Sequence, residues 1–165
     1  MKLAVLILED EPEVRQAIER DLLELVPTVR LEPAEDVEDA REAIADIQRS
    51  GDVLALALCD HRMPGTTGVE FMVEMAGDKK TADTRKVLLT GQADLQDTVR
   101  AVNEAKLHRY IAKPWDKEQL LDVVREQLTD FVEVRKMNPF PFMEVLDQDR
   151  AFDIASRNLD FTDYQ

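Results

Sequence analysis

Five short strand-like runs, each stopping at a polar or charged residue and each followed by an amphipathic stretch, leave this chain few ways to fold. Leu3-Ala4-Val5-Leu6-Ile7-Leu8 is apolar at every position until Glu9-Asp10, and the run from Val53 to Cys59 is apolar until Asp60. Strands buried on both faces read this way, because neither side of the pleat meets water. Val29-Arg30-Leu31, Val87-Leu88-Leu89 before Thr90, and Arg109-Tyr110-Ile111-Ala112 before Lys113-Pro114 supply three weaker runs. Between them, apolar residues recur at helical spacing. These are Val14, Ile18, Leu22 and Leu25, then Val37, Ala40, Ile44 and Ile47 up to Ser50-Gly51, then Val69, Met72, Val73 and Met75. Leu95, Val99, Val102 and Leu107 mark a fourth helix, and Leu120, Val123, Val124, Leu128 and Phe131 carry a fifth to about residue 136. Strands that alternate with helices, with no hairpin signal, predict an α/β fold: a doubly wound parallel five-stranded sheet covered by helices on both faces.

Composition narrows the function classes. The 165 residues are 44% hydrophobic, enough for a globular core. Acidic residues outnumber basic ones 35 to 21, giving a net charge of −14, which argues against direct binding to nucleic acid. Cys59 is the one cysteine, so neither an internal disulfide nor a four-ligand structural zinc site fits. The apolar runs are far too short to span a membrane, and the N-terminus carries no signal-peptide pattern. The expectation is a cytoplasmic protein without a membrane partner.

In an open parallel sheet, ligands bind beyond the carboxyl ends of the strands. Here those ends carry Glu9 and Asp10, Asp60, Thr90 and Lys113. Three carboxylates gathered at one edge repel one another unless a cation compensates. Oxygen ligands with room for water suit Mg²⁺.

These strand ends resemble the response-regulator receiver domain of two-component signalling. The resemblance spans roughly residues 2–130 and rests on four stretches: Leu6-Ile7-Leu8-Glu9-Asp10-Glu11-Pro12, Leu58-Cys59-Asp60 through Gly68, Leu88-Leu89-Thr90-Gly91, and Tyr110-Ile111-Ala112-Lys113-Pro114-Trp115. It implies a flavodoxin-like (βα)5 fold over residues 1–130. It also implies that Asp60 accepts a phosphoryl group from a histidine kinase or phosphotransfer protein. Mg²⁺ would be held by Glu9, Asp10, Asp60 and the backbone carbonyl of Arg62. Thr90, Lys113 and a backbone N–H at Gly91 would contact the phosphoryl oxygens. Tyr110 matches an aromatic that turns inward as Thr90 shifts, and Lys113-Pro114 matches a cis peptide. Arg62 and Gln92 occupy the positions that tune loss of the phosphoryl group to water, and a long cation at 62 is expected to screen Asp60. The acidic pair departs from the commoner Asp-Asp by the extra methylene of Glu9. The implied chemistry is self-phosphorylation and slow autodephosphorylation, without turnover of a separate substrate.

Other residues read as ordinary structure. Strand alternation points His61 away from the acidic cluster, and His108 has no second ligand at metal spacing, so both are expected to pack or lie in a loop. Lys79, Lys80, Arg85 and Lys86 read as a solvated basic patch, and Met63 and Cys59 as core. The resemblance stops near residue 130, and residues 131–165 form an extension holding six of the nine aromatics. Met137-Asn138-Pro139-Phe140-Pro141-Phe142 breaks the preceding helix, and one or two short helices follow. Two readings stay open: the extension folds back on its own receiver, or it docks on a second copy or another protein. The expectation is a homodimer built on the face of the fourth helix, fifth strand and fifth helix together with this extension. Alternative readings are a receiver-shaped adaptor, a piece of a longer regulator whose output domain lies elsewhere, or an aspartate-nucleophile phosphatase. Phosphatases of that kind place a second Asp two residues after the nucleophile, where this chain has Arg62.

Overall fold

A computed structural model describes residues 1–91 and 95–162, with the side chains of Leu95 and of residues 159–162 outside the description. Five strands, β1 (Leu3–Leu8), β2 (Val29–Ala34), β3 (Val53–Cys59), β4 (Arg85–Thr90) and β5 (Arg109–Ala112), alternate with α1 (Pro12–Asp21), α2 (Val37–Arg49), α3 (Gly68–Gly77), α4 (Leu95–Asn103) and α5 (Lys117–Val134). The strands pair in parallel in the order β2-β1-β3-β4-β5. This is the doubly wound parallel sheet that the sequence predicts.

Side-chain alternation along β1 builds both halves of the core. Leu3, Val5 and Ile7 face α1 and α5, whereas Ala4, Leu6 and Leu8 face α2, α3 and α4. All six residues have no exposed surface. On β3 the alternation slips where the register with β1 shifts at Ala4/Val5, so that Ala55 and Leu56 both turn to the α1–α5 side. α2, α3 and α5 begin with their own side-chain caps. Asp36 accepts from the Asp39 N–H at 2.8 Å, and Thr67 and Glu70 form a reciprocal capping box at the start of α3.

The boundaries of β2 and α4 differ from the sequence reading. β2 runs to Ala34 and includes Pro33, which an edge strand tolerates because its missing N–H breaks no interior ladder. α4 stops at Asn103, and Leu107 packs against the core from the loop that follows, where Lys106 takes a left-handed φ of 55°. α5 ends at Val134, close to the residue 136 expected from the spacing, and so crosses the position where the resemblance ends.

The extension folds back on its own chain. A 3₁₀ segment (Phe140–Val145) and α6 (Gln148–Thr162) place Phe142, Val145, Leu146 and Ala151 in the α1–α5 half of the core. Arg125 of α5 donates to the Glu144 carbonyl at 2.8 Å and to Glu24 at 3.3 Å, and the Asp147 N–H donates to Thr129 Oγ1 at 2.9 Å. Arg150 pairs with Asp130 at 2.7 Å and Arg157 with Glu133 at 3.0 Å. Exposed ion pairs of this kind contribute little, so burial of the apolar side chains holds the segment down. Tyr164 lies outside the described residues.

The basic patch is corrected by the structure. Lys86 has no exposed surface, and its ammonium donates to the Thr84 carbonyl at 2.9 Å and the Ala82 carbonyl at 3.3 Å. It sits on β4, where a side chain at this register points into the sheet's covering rather than into solvent. Burial pulls its pKa down to about 8. Its backbone N–H donates to His108 Nδ1 at 2.9 Å. Burial, reinforced by the charges of Arg85 and Lys86, pulls His108 from 6.5 down to about 4. The unfolded chain therefore takes up a proton as pH falls below 6.5, and the folded chain refuses it until about pH 4. Stability is lost across that window. His108→Asn keeps an acceptor for the Lys86 N–H but cannot titrate, so denaturant unfolding should show it losing less stability than wild type from neutral pH to about pH 4. Equal losses would contradict the assignment.

Candidate functional site

The carboxyl ends of β1, β3, β4 and β5 bring Glu9, Asp10, Asp60, Thr90 and Lys113 to one edge of the sheet. β1 and β3 are neighbours, and the chain leaves them in register. The Asp60 N–H donates to the Leu8 carbonyl at 2.9 Å and the Glu9 N–H to the Ala34 carbonyl at 3.0 Å. Glu9, Asp60 and Thr90 are 1%, 5% and 1% exposed. One oxygen from each of Glu9, Asp10 and Asp60 lies within 4.8 Å of the others.

Among the described residues, a single ammonium reaches into this cluster. Lys113 Nζ lies 2.7 Å from Glu9 Oε2 and 3.5 Å from Asp60 Oδ2. Its backbone N–H donates to the Thr90 carbonyl at 3.2 Å, and the Lys113-Pro114 peptide is cis. Burial raises the pKa of Glu9. The hydrogen bond from Lys113 opposes that rise, and the negative charge of Asp60 adds to it. Glu9 is further fixed by its neighbours: Arg15 donates to its carbonyl at 2.8 Å and the Glu11 N–H to Oε1 at 3.2 Å. Asp10 Oδ1 is buried and has no hydrogen-bond partner. A buried carboxylate oxygen left without a donor is costly, and a cation bound there would satisfy it. The oxygen-only donor set and the orphaned Asp10 oxygen fit a hard divalent ion.

The remaining sequence-predicted residues surround this centre. Gly91 sits beside Lys113, whose Cβ would meet a side chain there at 3.7 Å. Tyr110 is 40% exposed, and its hydroxyl donates to the Thr90 carbonyl at 3.3 Å. Arg62 is exposed in the loop after Asp60, and Gln92 lies outside the described residues. Gly68 closes that loop, since a Cβ there would fall 1.9 Å from the Asp60 carbonyl oxygen. Only glycine fits this approach.

Two contacts had no signal in the sequence. His61 is 7% exposed, and its Nε2 lies 2.9 Å from Asp97 Oδ2 at the start of α4. Trp115 Nε1 donates to Asp21 Oδ2 at 2.8 Å, tying the loop after Lys113 to α1. Each joins residues far apart in the chain, and neither pair follows a recognisable spacing.

Fold and site together define a receiver that gathers acidic residues at the sheet's carboxyl edge. The chain matches the response regulator receiver domain family over residues 5–125 and belongs to that family: it is the receiver domain of a two-component response regulator. It is 35% identical to the hydrogenase transcriptional regulatory protein HoxA of Cupriavidus necator over 122 residues, 74% of this chain and 23% of that protein. It is 31% identical to the C4-dicarboxylate transport transcriptional regulatory protein DctD of Pseudomonas aeruginosa over 133 residues, 81% of this chain and 26% of that protein. The chain thus spans about a quarter of the length of these relatives. Among solved structures, the signal receiver domain of an HD domain-containing protein from Pseudomonas fluorescens Pf-5 superposes with a TM-score of 0.70 at 24% identity, covering 79% of this chain and 98% of that one. Receivers of this family usually bind Mg²⁺ at acidic residues and take phosphoryl groups from histidine kinases. Among the described residues no helix is long and apolar enough to cross a membrane.

Lys113→Met would leave Glu9 and Asp60 facing one another without the ammonium. Stability at neutral pH and without divalent ions should fall by about 1–3 kcal/mol. Adding Asp60→Asn should return part of that loss. Chemical denaturation reads both, and a single variant as stable as wild type would contradict the pairing.

Proposed function

We propose that this chain is a phosphorylation switch in which Asp60 is the phosphoacceptor. The observation that carries the reading is the Lys113 ammonium, 2.7 Å from Glu9 and 3.5 Å from Asp60, beside an Asp10 oxygen that lacks a donor. Phosphoryl transfer asks little of a protein beyond an in-line nucleophile and positive charge around the transferring group. An Asp60 carboxylate oxygen bonds to phosphorus as the bond from phosphorus to the donor's histidine nitrogen breaks. Lys113 moves from pairing carboxylates to pairing a phosphoryl oxygen, and the Thr90 hydroxyl and the Gly91 N–H donate to another. Glu9, Asp10, Asp60 and the Arg62 carbonyl would hold Mg²⁺, which when bound supplies further positive charge to the phosphoryl oxygens. Arg62 then screens Asp60 from water. The chain acts on itself, with a histidine kinase or phosphotransfer protein as donor and slow loss of the phosphoryl group to water as reset.

Its output is association with another protein in the cytoplasm. The net charge of −14 supports a protein partner over nucleic acid, even where relatives are transcriptional regulators. The extension packs against α5, and α4 and β5 offer Val99, Val102 and Tyr110 as exposed side chains for a partner or second copy.

Incubation with acetyl phosphate and Mg²⁺, followed by intact-mass measurement, tests the chemistry. A phosphoryl adduct should form on wild type and be absent from Asp60→Ala. An adduct of equal yield on both would overturn the assignment.

A further inference from the structure

The residue after Asp60 reaches α4. His61 is 7% exposed, and its Nε2 lies 2.9 Å from Asp97 Oδ2, near the start of α4. Its backbone is firmly placed, because the Gly68 N–H donates to the His61 carbonyl at 3.1 Å. Gly68 also lies so close to the Asp60 carbonyl that a Cβ would sit 1.9 Å from its oxygen. The loop between β3 and α3 is thus closed against itself on the side of Asp60.

Asp60 is 5% exposed, so a phosphoryl group placed on its carboxylate needs room. Gly68 packs on the Asp60 backbone carbonyl and so fixes the loop that follows the carboxylate. The His61–Asp97 hydrogen bond ties this fixed loop to α4, so a displacement of either that makes room for the group works against that bond.

We propose that the His61–Asp97 hydrogen bond is a strut that holds α4 against the loop after Asp60 and slows phosphorylation of Asp60. His61 and Asp97 are positioning residues for that reaction. The inference rests on Asp60 being the phosphoacceptor. A contact made in the unmodified protein and loosened by modification biases the chain toward the unmodified state by its own strength. The same strut links the state of Asp60 to α4, whose Val99 and Val102 face solvent.

The test follows adduct formation with acetyl phosphate and Mg²⁺ by intact mass over time. His61→Ala and Asp97→Ala should each react about fivefold faster than wild type, the scale of one partly exposed hydrogen bond. The double variant should be no faster than either single one, because both remove the same contact. His61→Gln, whose Nε2–H can reach Asp97 as the imidazole does, should stay near the wild-type rate. A merely structural role lowers the melting temperature of the alanine variants and leaves the rate unchanged. That result, or slower reaction, overturns the strut. Asp97→Ala alters a partly exposed side chain and keeps the test valid where His61→Ala folds poorly. Wild type that takes no adduct overturns the phosphoacceptor reading and the strut with it, whereas modified wild type with unchanged variants overturns the strut alone.

Discussion

Three carboxylates meet within 4.8 Å where two of them are almost out of reach of water, and one ammonium holds two of the three. That imbalance organises the rest of the edge. Glu9 and Asp60 cannot separate, because each continues a buried strand whose six or seven residues are locked between two helical layers. Their repulsion is met by a cation delivered from the end of β5. The Thr90 carbonyl accepts from both the Lys113 N–H and the Tyr110 hydroxyl, so β4 and β5 are tied at the level of the site. Two negative charges remain in excess, and the Asp10 oxygen without a donor shows where they are least satisfied. A site built in this way favours positive charge and is ready for a transferable anion once a divalent ion has offset that excess.

Much of this was legible in the sequence. Unbroken apolar runs announce strands covered on both faces, and parallel order follows from their alternation with helices. The site residues follow from the fold, since a parallel sheet delivers the residue after each strand to the same edge. What escaped was whatever depends on tertiary environment. Lys86 belongs to a charged cluster by spacing, yet it is buried because β4 carries it under the covering loop, where two carbonyls accept its protons. Pro33 signals an end of strand locally, but an edge position accepts it. His61 gave no hint of Asp97, because nothing local specifies a hydrogen bond between a loop and a helix so far apart in the chain.

The extension shows how a family pattern can stop while the core continues. Its aromatic enrichment has a physical use in Phe142, which joins Val145, Leu146 and Ala151 against α5 and lengthens the α1–α5 half of the core. Phe140 and Phe152 stay at the surface, so the enrichment is only partly internal. Val99 and Val102 of α4 and Tyr110 of β5 also stay exposed. Any signal from Asp60 therefore has a short route to the surface, through the β4–β5 contacts at Thr90 or through His61 to α4.

The carboxylate edge is short of one divalent cation's charge. Thermal unfolding with increasing Mg²⁺ at constant ionic strength measures this directly, since an ion bound only by the folded chain raises the melting temperature by mass action. Wild type should melt at rising temperature as Mg²⁺ increases, while Asp10→Asn and Asp60→Asn should show a much smaller rise. A wild-type melting temperature indifferent to Mg²⁺, or a rise equal in all three, would contradict the account.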